Sequence, residues 1–162
     1  LAGAAPIRLE PRRRSIVLFD PPPDIDVRGW PFTISEADQV YFAPESGGLM
    51  LSPMDQVPMA PCDAAPDDET IAAALERLRA LAPRIVPRAL KRSWAGLRTF
   101  SPDAVPVVGE DPRVPGFFWL AGQAGFGIES SGAIGQIAAD LIAHGATRMF
   151  DAAILSPARF GV

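Results

Sequence analysis

Proline and glycine place the tightest limit on the fold, because this 162-residue chain contains 18 prolines and 14 glycines. Proline lacks a backbone N–H and fixes φ, and glycine weakens regular elements, so helices and strands must be short and joined by many turns. The triple proline at residues 21–23 ends an apolar strand predicted over residues 12–20. The predicted strands outnumber the helices, which indicates an α+β domain with a mixed sheet.

Apolar periodicity predicts two helices. The first covers residues 67–82, with acidic residues at its start and a proline after it. The second runs from about Ser131 to His144 and stops at Gly145. The residues predicted to face the core are Ile71, Leu75, Leu78 and Leu81 in the first helix, and Ile134, Ile137, Leu141 and Ile142 in the second.

A strand pair is predicted at residues 40–51, with its turn at residues 44–48 and positive φ angles at Gly47 and Gly48. Only the last third of the chain has the strand, glycine turn and helix order of an α/β domain. Further strands are predicted within residues 90–100, 104–111 and 116–122.

Charge and rare residues narrow the chemistry. A net charge of −4 argues against a nucleic-acid partner, and the arginines at residues 12–14 are interpreted as the solvated start of a strand rather than a phosphate patch. Cys62 is the only cysteine, which excludes an internal disulfide and a cysteine zinc site and favours a reducing, cytoplasmic location. The single histidine, His144, suits a helix end, and no Gly-x-Ser-x-Gly motif supports a hydrolase. No apolar run approaches the ~20 residues that a membrane span requires.

Two segments could carry chemistry. Residues 121–136, AGQAGFGIESSGAIGQ, place a glycine-rich turn between a strand and a helix. Its backbone N–H groups and the helix dipole favour an anion or an electron-rich carbonyl, although a glycine turn packed tightly on a sheet explains the pattern equally well. Arg98 lies among Trp94, Leu97 and Phe100. An inward-facing arginine there requires a carboxylate or a ligand, whereas an outward-facing one is the simpler alternative.

Together these segments resemble the C-terminal part of the FAD-dependent amine and amino-acid oxidoreductases, the family of D-amino-acid oxidase, D-amino-acid dehydrogenase and glycine/sarcosine oxidase. The strand pair VYFAPESGGLMLSP, residues 40–53, is similar to a second phrase of that family. The positions that match the family pattern in order are Trp94, Gly96, Arg98, Asp103, Pro106, Gly109, Pro115, Gly116, Gly122, Gly125, Gly127 and Ile128.

The resemblance implies non-covalent FAD and a small amine or amino-acid substrate that is oxidised at its C–N bond by hydride transfer to flavin N5. It implies that Arg98 pairs with the substrate carboxylate and that Tyr41 forms a wall of the substrate cavity. No side-chain base and no metal are required. The cofactor-binding residues are expected to be Gly122, Gln123, Ala124, Gly125, Phe126, Gly127 and Ile128, near the pyrimidine end of the flavin.

The resemblance also implies a domain organisation. Residues 1–102 are expected to form most of a substrate-binding domain, residues 103–148 the return segment of a split Rossmann-like FAD domain, and residues 149–162 a tail. The N-terminal FAD-binding half would lie upstream or on another chain, so the chain is expected to be a fragment that holds FAD weakly by itself. The alternatives are a non-catalytic substrate-binding domain, a subunit of a heteromeric flavoenzyme, or a phosphate-binding module.

Overall fold

A computed structural model describes residues 3–4 and 6–161 of the chain. Strands and helices are both present, which confirms the predicted α+β class. The strands are β1 Glu10–Phe19, β2 Thr33–Ser35, β3 Val40–Glu45, β4 Gly48–Ser52, β5 Val57–Pro58, β6 Arg92–Phe100, β7 Val107–Glu110 and β8 Phe118–Ala121. The α-helices are α1 Asp68–Leu81 and α2 Ser131–His144, and 3-10 turns span Pro83–Ile85, Ala152–Ile154 and Pro157–Phe160.

The strands form two sheets. The larger has the order β2-β3-β4-β1-β5, with β6 also paired to β1, and the smaller is the antiparallel pair of β7 and β8. The chain divides into two compact units. The central unit comprises residues 13–97, and the terminal unit comprises the described residues up to Arg12 together with those from Arg98 onward. The predicted domain boundaries at residues 102 and 148 stay predictions.

The core of the central unit lies between its sheet and one face of α1. Buried side chains of β1, β3 and β4 pack with Ile71, Ala74 and Leu78 of the helix. Asp67 caps α1 by accepting a hydrogen bond from the Thr70 N–H at 2.9 Å, which explains why the helix begins where the acidic residues predicted. Leu81 was predicted to be buried but is 42% exposed, because it is the last residue of α1 and lies beyond the part of the helix that packs on the core.

The predicted strand pair is confirmed, but its turn is tighter than predicted. Glu45 pairs with Gly48, so only Ser46 and Gly47 form the loop, with φ angles of 48° and 77°. Two positive φ angles are what a two-residue hairpin of this kind requires. Gly48 was predicted to share that conformation but lies in β4. A Cβ there would be 2.7 Å from the Phe19 carbonyl oxygen, so the strands approach too closely for any larger residue.

This contact yields a stability prediction. Gly48→Ala is expected to lower the free energy of unfolding by about 1–3 kcal/mol, because the added methyl group meets backbone that can yield only by shifting β1. Gly96→Ala is the matched control, since a Cβ at this strand position meets nothing within 4 Å. Its effect is expected within about 0.5 kcal/mol. Equal free energies for the two variants in urea unfolding would contradict the packing of β1 on β4.

The prediction that the arginines at residues 12–14 are solvated is wrong for Arg13 and Arg14. Arg13 Nε donates to Asp55 Oδ2 at 3.0 Å, and Arg14 Nε donates to the Asp55 backbone carbonyl at 2.9 Å. Arg14 is only 8% exposed, and its Cζ lies 5.7 Å from the centre of the Tyr41 ring. The Asp55 carboxylate compensates the charge of Arg13, and the Asp55 backbone carbonyl satisfies Arg14 Nε. No motif near the arginines in the sequence predicts either contact.

The terminal unit has its own core, in which α2 packs on β7. Val108, Ile137, Ala138 and Leu155 are buried there. Ile134 and Leu141 are partly buried as predicted, but Ile142 is 69% exposed. Five residues after Ile137, its side chain points about 140° away around the helix axis. Gly145, with φ of 70°, ends α2 at the predicted position.

Candidate functional site

The residues between β8 and α2 form a tightly anchored loop, called here the glycine loop (residues 122–128). Gly122 is buried with φ of 68°, and a Cβ there would lie 3.3 Å from both Cβ and N of Ser101. Gln123 forms a β-bridge with Phe100, and the Ala124 N–H donates to the Thr99 carbonyl at 2.9 Å. The first half of the glycine loop is therefore fixed along the end of β6.

Arg98 of β6 lies directly against this loop. A Cβ built on Gly125 would be 2.2 Å from Arg98 Nη1 and 3.2 Å from its Cζ. The guanidinium therefore occupies the space that any side chain at position 125 would need. Arg98 is half-buried, so the outward-facing alternative considered for it does not hold. The structure thus brings together Arg98 and the glycine loop, the two separate segments singled out in the sequence.

Phe100 contributes a buried aromatic ring beside the arginine. Its ring centre lies 5.6 Å from Arg98 Cζ and 4.6 Å from Arg12 Cζ. Arg12 is in turn paired with Glu10, whose Oε2 accepts from Arg12 Nε at 2.7 Å. Cation–π attraction of this kind restrains a guanidinium without neutralising it. The sequence placed Phe100 near Arg98 but did not reveal that its ring also meets Arg12.

The second half of the glycine loop leads into α2 and is open. Phe126 and Ile128 are 55% and 94% exposed, which is unusual for large apolar side chains. Ser130, the residue before α2, donates its hydroxyl to the Phe126 carbonyl at 2.6 Å, and no cap bond from its side chain to the helix is described. A Cβ at Gly132 would meet nothing within 4 Å. Gly132, in the first turn of α2, therefore has no side chain covering its backbone, at the end of the helix where the positive end of the dipole lies.

A polar network lies behind Gly122. The Ser101 hydroxyl is 2.9 Å from Asp103 Oδ1 and 2.6 Å from the Val105 carbonyl, and its hydrogen serves these two acceptors. Asp103 also receives two hydrogen bonds from Arg159, at 2.7 and 3.0 Å. The bonds from Arg159, supported by those from the Val105 N–H and Ser101, hold the pKa of Asp103 well below its usual range.

The lowered pKa of Asp103 predicts how its contribution to stability depends on pH. A carboxyl group with a lowered pKa in the folded state stabilises the fold fully above its unfolded pKa of about 3.9, and this contribution disappears as the pH falls through the folded value. The difference in unfolding free energy between the wild type and Asp103→Asn is therefore expected to stay constant from pH 7 to about 5 and to shrink below about pH 4. Denaturant unfolding at a series of pH values measures it. A difference that grows with acidification would contradict the assignment.

Tyr41, the other predicted substrate residue, lies on β3 in the central unit and is half-buried. Its ring centre is 4.9 Å from that of Phe32, and Arg14 stacks near it. The sequence does not single out Arg14, because three adjacent arginines are typical of a charged surface. Two signals for it exist in hindsight: the apolar strand that follows, and an aspartate, Asp55, just after the strand pair.

Within residues 3–4 and 6–161, no group of three or more histidine, cysteine, aspartate or glutamate side chains could hold a metal ion. Among the same residues, no helix is long and apolar enough to cross a membrane. Cys62 is exposed in the central unit.

Comparison with known proteins identifies the class of protein to which this fold and loop belong. The family model described as "FAD dependent oxidoreductase" matches residues 1–141. The chain therefore belongs to the FAD-dependent oxidoreductase family, which confirms the resemblance found in the sequence and FAD as the cofactor of the family.

Individual relatives agree with this assignment. The fold is similar to that of L-proline dehydrogenase from P. horikoshii (TM-score 0.76, 23% identity), with 96% of this chain and 41% of that chain covered. It is also similar to glycine oxidase from Geobacillus kaustophilus (TM-score 0.75, 24% identity), with 95% and 40% covered. In sequence, 71 residues are 41% identical to hydrogen cyanide synthase subunit HcnC of Pseudomonas aeruginosa, covering 44% of this chain and 17% of that protein. The chain thus spans about two-fifths of the solved structures it matches.

Proposed function

We propose that this chain supplies the substrate-binding part and the C-terminal part of the flavin site of an enzyme that oxidises the C–N bond of an amino acid or amine. The observation that carries the proposal is the contact of Arg98 with Gly125, where a Cβ would come within 2.2 Å of the guanidinium. A group suited to a substrate carboxylate and a loop suited to the flavin edge are thereby held in direct contact. The wider flavin-binding surface would come from a part of the protein that these residues do not include.

The proposed role of Arg98 is to pair with the substrate carboxylate. A guanidinium offers a planar fork of donors that matches a carboxylate in two parallel hydrogen bonds. Its half-buried position beside the Phe100 ring strengthens such a pair, because the effective dielectric constant is lower than in water. Contact with Gly125 fixes where the substrate carboxylate, and with it the carbon that carries the nitrogen, would lie relative to the loop.

The glycine loop is the proposed contact for the pyrimidine edge of non-covalent FAD. The residues present fit such a group, because the open backbone at Gly132 leaves room for a flat ring and the exposed Phe126 and Ile128 offer apolar surface. Ala124 and Phe126 already donate their N–H groups to backbone carbonyls, so it is the other N–H groups of the loop and the dipole of α2 that would stabilise negative charge at that edge. The chemistry that FAD supplies when bound is acceptance of a hydride at N5 from the substrate carbon, after which water hydrolyses the imine. The proposed contact residues are Gly122, Gln123, Ala124, Gly125, Phe126, Gly127 and Ile128.

Tyr41 is proposed as a further wall of the substrate cavity. Its ring is held by Phe32 and by the buried Arg14, so its orientation is fixed within the central unit.

The proposed domains separate substrate binding from flavin binding. Residues 1–102 would form most of the substrate domain, residues 103–148 would return to a split Rossmann-like FAD domain, and residues 149–162 would form the tail.

An absorbance spectrum of the full-length protein tests this function. The expected result is an oxidised-flavin band that amino acids or amines bleach under anaerobic conditions, with the active compound defining the substrate. A flavin band that no amine or amino acid bleaches would favour the non-catalytic alternative. A full-length protein that stays colourless after incubation with FAD would overturn the proposal, and the glycine loop would then be a packing device.

A further inference from the structure

The C-terminal segment, residues 151–160, is bound to the terminal unit through one arginine. Arg159 donates from Nη1 to the carbonyls of Leu155 at 2.7 Å and Ser156 at 3.1 Å. Its Nη2 donates to the carbonyl of Val105 at 2.7 Å, in addition to the two bonds that the guanidinium makes to Asp103. The side chain is only 14% exposed. A surface arginine seldom satisfies five acceptors, and bidentate pairing with a carboxylate is its strongest form of recognition.

The C-terminal segment also lies against β7. The Val108 N–H donates to the Leu155 carbonyl at 2.8 Å, and a Cβ at Gly109 would be 3.2 Å from Pro157 Cδ. Leu155 is buried in the core beside α2. The segment is therefore packed into the core of the terminal unit.

Arg159 reaches the glycine loop through the turn between β6 and β7, residues 101–105. In that turn Ala104 has φ of 60°, a conformation that alanine rarely adopts and keeps only where surrounding contacts impose it. The bonds from Arg159 to Asp103 and Val105 lie on either side of Ala104. The opposite end of the turn is Ser101, against which Gly122 packs.

We propose that Arg159 is a positioning residue for the glycine loop. By holding the turn at residues 101–105 it fixes Ser101, and Ser101 in turn fixes the start of the glycine loop. The role of the glycine loop in binding flavin rests on the proposed function. The effect of Arg159 on the position of the loop, called here the mechanical link, does not depend on that function. The effect of Arg159 is to set where Gly122 leaves β8 and hence where the following amides point.

Hydrogen exchange of the full-length protein without added flavin tests the mechanical link. Arg159→Met is expected to accelerate amide exchange in residues 122–128 about tenfold or more, because opening the turn lowers the free energy of local unfolding there. Exchange in α1 is expected to be unchanged, and exchange in the C-terminal half of α2, residues 137–144, is expected to be much less affected than exchange in the loop. Arg148→Met, which alters another arginine that is exposed near the same segment, serves as the control and is expected to have no effect. Unchanged loop exchange, or equal acceleration of the loop and α2, would overturn the positioning role.

The FAD dissociation constant and kcat/KM of the holoenzyme then test whether the position of the glycine loop affects flavin binding and catalysis. Arg159→Met is expected to raise the FAD dissociation constant about tenfold and to lower kcat/KM per bound flavin up to about a hundredfold, as misplacements distant from the reacting atoms do. Arg159→Lys keeps the charge but not the planar set of N–H donors of the guanidinium. Its FAD dissociation constant and kcat/KM are therefore expected to lie between those of the wild type and Arg159→Met. Asp103→Asn is the second variant and should reproduce the same pattern if Arg159→Met folds poorly. A wild type without flavin would overturn the proposed function alone, whereas a normal FAD constant and kcat/KM in both variants would overturn the positioning role alone.

Discussion

Arg98→Met is expected to lower kcat/KM for a carboxylate-bearing substrate by roughly 30- to 3000-fold. This range corresponds to the loss of about 2–5 kcal/mol when one partner of a desolvated, hydrogen-bonded charge pair is removed. Methionine replaces the arginine side chain only as far as Nε, so the packing of the apolar stem is kept while the guanidinium that contacts Gly125 and Phe100 is lost. Steady-state kinetics with the best amino-acid substrate measures the effect.

Two controls separate carboxylate recognition from general damage. Arg148→Met removes an exposed arginine of the same unit and is expected to leave kcat/KM unchanged. A substrate amine without a carboxylate is expected to be oxidised at similar rates by the wild type and Arg98→Met, because such a substrate has no group that pairs with the guanidinium. Equal losses for the two kinds of substrate would show that Arg98 supports the fold or the flavin rather than the carboxylate.

Gly125→Ala is expected to displace Arg98 without unfolding the protein. The added Cβ would lie 2.2 Å from Nη1, so contact is relieved by movement of the flexible end of Arg98 rather than by movement of backbone. A misplaced guanidinium is expected to reduce kcat/KM for a carboxylate-bearing substrate about tenfold to a hundredfold. Most of the loss should appear as a higher KM, since substrate binding is the step that Arg98 is proposed to serve.

Gly135→Ala is the matched control for this variant, because a Cβ there meets nothing within 4 Å and the residue lies outside the glycine loop. The double variant Gly125→Ala with Arg98→Met gives a further check. If the alanine acts by displacing Arg98, its effect should largely vanish once Arg98 is already replaced. Full additivity of the two losses would mean that Gly125 acts on something other than this arginine.

Secondary structure could be predicted well where local rules decide it. The helix α1 has an aspartate cap, acidic first-turn residues and a regular apolar stripe, and α2 ends at a glycine, so both were located to within a residue or two. The errors fall where packing decides. Leu81 and Ile142 continue an apolar pattern but lie beyond the surfaces that their helices bury.

The candidate site was only partly predictable, because its key contacts join residues far apart in the chain. Arg98 and Gly125 come from a strand and a loop that the sequence presents as separate features, and only the resemblance to a family joined them. The ion pair of Arg13 with Asp55 joins residues 42 positions apart, and that of Arg159 with Asp103 joins residues 56 positions apart. No periodicity or motif encodes such pairs. The sequence therefore suggested a charged patch for the first of these arginines and a tail for the second, whereas both are largely shielded from solvent and paired with a distant aspartate.

The most direct test of the central claim is a titration of the flavin spectrum with a small carboxylate that cannot be oxidised, such as acetate. If Arg98 holds a carboxylate next to the glycine loop, the flavin absorbance band of the wild-type holoenzyme should change with acetate concentration and reach saturation. In Arg98→Met the midpoint should move at least about 30-fold higher, which matches the lower end of the expected loss of charge pairing. Identical titration curves for the wild type and Arg98→Met would contradict the proposal that Arg98 and the glycine loop form one site.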